Sequence, residues 1–135
     1  MIKNIANKTN CYAGQKENKK KIGEKKDHEW NIATMEEIYI FLGLTLLMAH
    51  VKKNRMQDYW AVDEFLATPI FGALMPRNRY FQLWTYLHFT NNLEHTSSSS
   101  RLYKIEPIVR KLQTRFKSVF HSYQNFCMDE SLMLF

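Results

Sequence analysis

The sequence predicts a mainly α-helical domain with a disordered basic N-terminal tail and a single strand at its end. Three observations carry this. Hydrophobic residues make up 45% and aromatic residues 14% of 135 residues, with only four glycines and three prolines, enough apolar volume for one core. Helix-start signals followed by apolar residues at helical spacing recur from residue 34 onward. The lysines crowd into the first thirty residues, where large apolar residues are scarce.

The tail comes first. Residues 1–30 hold eight lysines against four acids, so four of the six net positive charges lie there. Asn and Lys dominate residues 1–27, and such a composition does not offset its ordering entropy by burial. This predicts a disordered Lys-rich tail over 1–27, a helical module over 28–124 and a strand segment over 125–135. The run Lys16-Glu17-Asn18-Lys19-Lys20-Lys21 reads as a solvated basic tail, or more sharply as a nuclear-import or phosphate-binding cluster.

Thr34-Met35-Glu36-Glu37 has the spacing of a capping box, in which the Thr34 hydroxyl accepts the Glu37 amide proton and the Glu37 carboxylate reaches back. A helix over about 35–51 follows. Its apolar stretch from Ile38 to Val51 is shorter than the roughly 18 to 20 residues of a membrane span, so no membrane is expected. Lys52 to Asp63 reads as a loop or short turn held down by Tyr59 and Trp60. Thr68-Pro69 resembles an N-cap with proline at the first helical position, opening a short helix that stops before Pro76.

Pro76 opens the next helix, with Tyr80, Leu83, Trp84 and Leu87 on one face. Residues 91–100 read as a polar loop. Pro107 opens the most amphipathic helix, with Ile108, Val109, Leu112, Phe116, Val119 and Phe120 on one arc. That arc is expected to pack, leaving Arg110, Lys111, Arg115 and Lys117 outside it. Phe126 to Phe135 is short, rich in large apolar residues around Asp129-Glu130, and suits a strand.

Several chemistries are excluded. Two distant cysteines, Cys11 and Cys127, make neither a disulfide framework nor a zinc module. The N-terminus lacks the apolar core of a secretory signal. His88 lies among apolar residues without a Ser, Cys or second His at catalytic spacing, and reads as a core histidine. Neither a small-molecule substrate nor a small-molecule cofactor is suggested. A net charge of +6 and pI ≈ 9.3 favour anionic partners, DNA among them.

Between His28 and Phe135 a series of words occurs in order: Phe41-Leu42-Gly43-Leu44, Asp58-Tyr59-Trp60, Thr68-Pro69-Ile70-Phe71, Arg77-Asn78-Arg79-Tyr80, Leu87-His88-Phe89, Arg101-Leu102-Tyr103-Lys104-Ile105 with Pro107, and Met128-Asp129-Glu130-Ser131-Leu132. Any one is weak, but the ordered set resembles the piggyBac transposase family up to its first catalytic aspartate. Ala49, Asn54 and Ser100 depart from that pattern, standing where Gly, Pro and an acidic residue are more typical. The resemblance implies a helical dimerisation and DNA-binding region leading into the first strand of an RNase H-like core, with Asp129 on that strand. It also implies a nuclear location and, for the complete enzyme, three aspartates holding Mg²⁺ for phosphodiester chemistry.

Residues 1–135 supply only the first of those aspartates, so the sequence predicts no transposase activity for this chain alone and no cofactor of its own. A longer reading frame would return Asp129 to a metal site. The DNA-backbone candidates are Lys52, Lys53, Arg55, Arg77, Arg79, Arg110, Lys111 and Lys117. For Arg77 and Arg79 the free N–H groups of the helix start add to a phosphate site, while surface arginines or intrachain salt bridges are the plainer alternative. A different class of function is a protein-interaction module, meeting a homodimer partner or a related transposase through apolar surface that a missing domain would otherwise cover.

Overall fold

The computed structural model of the chain describes residues 1–17, 29–91 and 102–120. The described part is mainly helical: α1 (Ile2–Glu17), α2 (Met35–His50), a 3₁₀ turn (Met56–Trp60), α3 (Pro69–Leu74), α4 (Arg77–Tyr86) and α5 (Glu106–Val119). No strand occurs among the described residues. The expected strand over 125–135 and, apart from Asn91, the expected loop over 91–100 lie outside them.

The first finding is a correction. Residues 2–17, read from composition as disordered tail, form a sixteen-residue helix packed on α2 and α4. Its buried face is Ile2, Ile5, Ala6, Thr9 and Ala13, a helical stripe in which small side chains bring the backbones close. Polar side chains finish the attachment. The Asn10 amide nitrogen donates to the Ala33 carbonyl at 2.9 Å, and its carbonyl oxygen accepts from the Ala33 N–H at 2.8 Å and the Trp30 indole at 3.1 Å. Asn10 thereby satisfies the backbone of the extended segment leading into α2, groups that burial would otherwise leave unpaired. Two residues on, the Tyr12 ring stacks on His88, with centroids 3.6 Å apart and planes 7° from parallel. The Thr9 hydroxyl accepts from the His88 backbone N–H at 3.2 Å, so His88 is a packed histidine, as expected.

Helix α2 starts where the capping signal placed it. Thr34 is the N-cap, its hydroxyl accepting from the Glu37 N–H at 3.2 Å. The second half of the box is not made to Thr34, because the Glu37 carboxylate turns toward Arg79 of α4. Ile38, Phe41 and Leu44 form the buried face. The 3₁₀ turn is closed by the Asp58 carboxylate, which accepts from the Arg55 N–H at 3.2 Å, and it buries Tyr59.

Helix α3 has the expected bounds with a different cap. The Thr68 hydroxyl donates to the Tyr59 carbonyl at 2.8 Å rather than capping α3, tying the short helix to the 3₁₀ turn. Phe71 is fully buried there, a burial that stabilises by about 2–3 kcal/mol. Trp60 lies against Phe71, Tyr80 and Phe81 and donates its indole N–H to the Met75 carbonyl at 2.8 Å.

On α4, Tyr80 and Leu83 are fully buried as the periodicity predicts, but Trp84 is 50% exposed. The helix is gripped from two sides, so Tyr86, facing α1 and Trp30, takes the buried place instead. The largest departure is α5. Its bounds match the Pro107 signal, yet none of its residues is buried, and Phe116 and Val119 are 65% and 80% exposed. Ile108 alone on this helix packs against the main core, leaving the arc predicted to be buried largely uncovered.

Candidate nucleic-acid interface

The predicted cationic residues fall into three groups. Lys52, Lys53 and Arg55 occupy the segment between α2 and the 3₁₀ turn, which the Arg55–Asp58 bond and the Tyr59 ring hold in place. The Lys53 ammonium donates to the Leu66 carbonyl at 2.5 Å, while Lys52 and Arg55 are exposed. Arg77 is exposed at the first position of α4.

Arg79, two residues on, belongs to the fold. Its guanidinium donates to both Glu37 carboxylate oxygens at 2.6 and 2.7 Å, to the Gln82 side-chain oxygen at 2.9 Å and to the Asn31 carbonyl at 2.9 Å. It also lies over the Trp30 ring at 4.8 Å. Four of the five N–H donors an arginine offers are therefore engaged within the chain. Arg77 and Arg79 consequently do not form the paired phosphate site, and the intrachain salt bridge is the reading that holds for Arg79. The cleft beside it, about 520 Å³ and lined by Lys16, Glu29, Asn31 and Tyr86 among others, is bordered by this largely engaged guanidinium. Lys16 itself sits over the Tyr86 ring at 4.7 Å.

The third group is brought together by the fold. Arg110, Lys111 and Arg115 of α5 line a cleft of about 410 Å³ with Thr114 and Met1, the residue just before α1. Arg110 is partly neutralised, its guanidinium donating to Glu106 one turn earlier at 2.6 Å. Lys111 and Arg115 have no acidic partner among the described residues and project into solvent. Sequence reasoning placed Arg115 on the basic face but not among the binding candidates. The docking of α1, invisible to composition, is what makes a wall opposite it. Lys117 lies further along α5 and is exposed.

What the arrangement can do is hold an anion. Free guanidinium and ammonium groups on a convex helix contact phosphate oxygens without reading bases. It offers no acid–base pair, and among the described residues no three His, Cys, Asp or Glu side chains gather where they could hold a metal ion. Asp129 lies outside the described residues. No described helix is long and apolar enough to cross a membrane.

A family profile described as Transposase IS4 matches residues 1–135. The chain belongs to this transposase family. Two human proteins place it on the piggyBac branch that the ordered words resemble. PiggyBac transposable element-derived protein 2 is 25% identical over 129 residues, covering 95% of this chain and 20% of the relative. PiggyBac transposable element-derived protein 5 is 25% identical over 133 residues, covering 98% of this chain and 24% of the relative. The chain thus spans between a fifth and a quarter of the length of these relatives. No solved structure shows significant similarity to it.

Proposed function

We propose that this piggyBac-type transposase chain grips nucleic acid by its phosphate backbone and that these 135 residues do not cut or join DNA by themselves. The observation that carries the reading is the Arg110, Lys111 and Arg115 edge of α5, two of whose three cations have no acidic partner among the described residues. Lys117, with Lys52, Lys53, Arg55 and Arg77, extends the cationic surface. Backbone contacts of this kind give affinity with little sequence preference, and each neutralised phosphate adds to the salt sensitivity.

Catalytic silence follows from the chemistry of phosphoryl transfer. Hard divalent ions need several clustered oxygen ligands beside both the attacking and the leaving oxygen, and Asp129 alone does not supply them. In a longer chain carrying two further aspartates, Asp129 becomes the first ligand of that site. Nuclear action is the location at which such DNA contact is useful.

A duplex of mixed sequence is the probe. Reversing Lys111, Arg115 and Lys117 to Glu together lowers affinity at least tenfold, and reversing Lys52, Lys53 and Arg55 produces a smaller loss. Unchanged affinity in the α5 variant contradicts the proposal. The uncovered apolar arc of α5 favours a second reading, a protein-interaction module. Salt separates the two, since an apolar interface does not weaken steeply as salt rises.

A further inference from the structure

The three tryptophans of this chain meet different surroundings. Trp30 donates its indole N–H to the Asn10 side-chain oxygen at 3.1 Å, and Trp60 donates to the Met75 carbonyl at 2.8 Å. Trp84 of α4 differs on two counts. It is 50% exposed, and its N–H has no partner among the described residues. A tryptophan left this way offers an apolar ring and a hydrogen-bond donor together to whatever binds there. The ring is held all the same. It lies against Tyr80, with centroids 6.2 Å apart and planes at 24°, and against Phe41, 6.3 Å away at 56°, and both of these rings are buried. The core thus fixes the inner side of the indole and leaves the remainder open to water.

Arg77 stands on the same stripe of α4. Seven residues separate it from Trp84, so the two lie within about 20° of each other around the helix and about 10 Å apart along its axis. Phe81, half-buried against Trp60, fills the interval. Arg77 is exposed and has no partner among the described residues, in contrast to Arg79 two positions on. A cation in a first helical turn is unfavourable beside the macrodipole, and no acidic residue occurs anywhere on α4 to offset it. The stripe therefore joins an uncompensated guanidinium to an open aromatic ring. It complements a ligand that is anionic at one point and flat and aromatic a short step away.

We propose that Trp84 and Arg77 form a site for an unpaired nucleotide, the indole stacking on its base and the guanidinium holding a phosphate of the same strand. In a duplex each base face is covered by its neighbours, whereas a single strand presents free faces beside regularly spaced phosphates. The indole N–H then donates to a base or phosphate oxygen that the strand brings with it. Such stacking tolerates any sequence, since every base has a π-face. The inference takes its class of polymer from the nucleic-acid reading above. It uses no residue of α5, and it adds a preference for unpaired strand that a backbone grip alone does not give.

Tryptophan fluorescence of the 135-residue chain, titrated with oligothymidylate and separately with a blunt duplex of mixed sequence, tests it. Oligothymidylate is expected to quench the emission and the duplex to leave it nearly unchanged. Trp84→Leu, with far-UV circular dichroism to confirm retained helix, is expected to abolish the quench. It is also expected to lower affinity for oligothymidylate about tenfold, the scale of one stacked base, with duplex affinity unchanged. Arg77→Glu is expected to weaken oligothymidylate binding and flatten its salt dependence. Should the Leu variant lose helix, irradiation of the wild type with a bromodeoxyuridine-substituted single strand decides, the strand being expected to attach to Trp84. A quench that persists in Trp84→Leu, equal losses on single strand and duplex, or attachment confined to other residues overturns the proposal. Absence of quenching by oligothymidylate overturns it too, and duplex binding retained in that case leaves the α5 grip standing. Quenching that depends on Trp84, with duplex affinity untouched by reversal of Lys111, Arg115 and Lys117, refutes the α5 grip and supports this site.

Discussion

Glu37 and Arg79, 42 positions apart, close a two-pronged ion pair, with Nε to Oε1 at 2.6 Å and Nη2 to Oε2 at 2.7 Å. It joins the first turn of α2 to the first turn of α4. The two side chains are 25% and 13% exposed, so water competes only weakly for either. The parallel geometry is one that arginine makes and lysine does not.

Breaking this pair destabilises the fold. Glu37→Gln is expected to cost about 2 kcal/mol, the scale of charge-assisted hydrogen bonds, read as a lower urea midpoint at unchanged slope. Arg79→Lys recovers little, because one ammonium cannot replace contacts to Glu37, Gln82 and Asn31 together. A double-mutant cycle giving no coupling between Glu37 and Arg79 contradicts the account.

Asn10→Ala removes three hydrogen bonds that fasten α1 to the segment before α2. At about 1 kcal/mol for each bond, the expected loss is about 2–3 kcal/mol. Hydrogen exchange along residues 2–17 checks the mechanism. Faster exchange there, ahead of α2 and α4, is expected, and uniform protection contradicts the role assigned to Asn10.

The Tyr80 hydroxyl lies within hydrogen-bond distance of the Thr45 hydroxyl, 3.0 Å away. Burial raises its pKa above the ordinary tyrosine value, the Thr45 bond opposing that rise and Tyr59 adding to it. The folded state thus holds this proton more tightly than the unfolded chain does. The resulting stability is fully present below about pH 10 and is lost as pH rises through the folded value. Tyr80→Phe is expected to flatten that alkaline decline in thermal unfolding. Glu36 contributes at the other end of the scale. Hydrogen bonding to its own backbone and to Thr34 lowers its pKa, so its contribution is present above the ordinary carboxylate value and falls as the solution is acidified.

The helices from Met35 to Tyr86 were legible because local chemistry and burial agree there. Thr34 caps, Pro69 starts, and Tyr80 and Leu83 are spaced as a buried face and are buried. Residues 2–17 were not legible because Ile2 and Ile5 are the only large aliphatic residues on their buried face, and the rest of the attachment, Ala6, Thr9, Asn10 and Ala13, is small or polar. Spacing carried the signal that composition hid, since Ile2, Ile5, Ala6, Thr9 and Ala13 already share one helical face. Amphipathicity identified α5 as a helix but not what covers it, since a period fixes which face is apolar and leaves its partner open. Arg79 shows the same limit for the site. A guanidinium in a first helical turn is open to phosphate or to carboxylate, and only the approach of Glu37 decides between them.

The most direct measurement of the phosphate grip is the affinity of the chain for duplex DNA as salt is raised. The account predicts a logarithmic plot falling linearly with a slope of about −2 to −4, from roughly two to four neutralised phosphates, and a shallower line for the chain in which Lys111, Arg115 and Lys117 are reversed to Glu. An affinity independent of salt, or the same slope in both proteins, contradicts it.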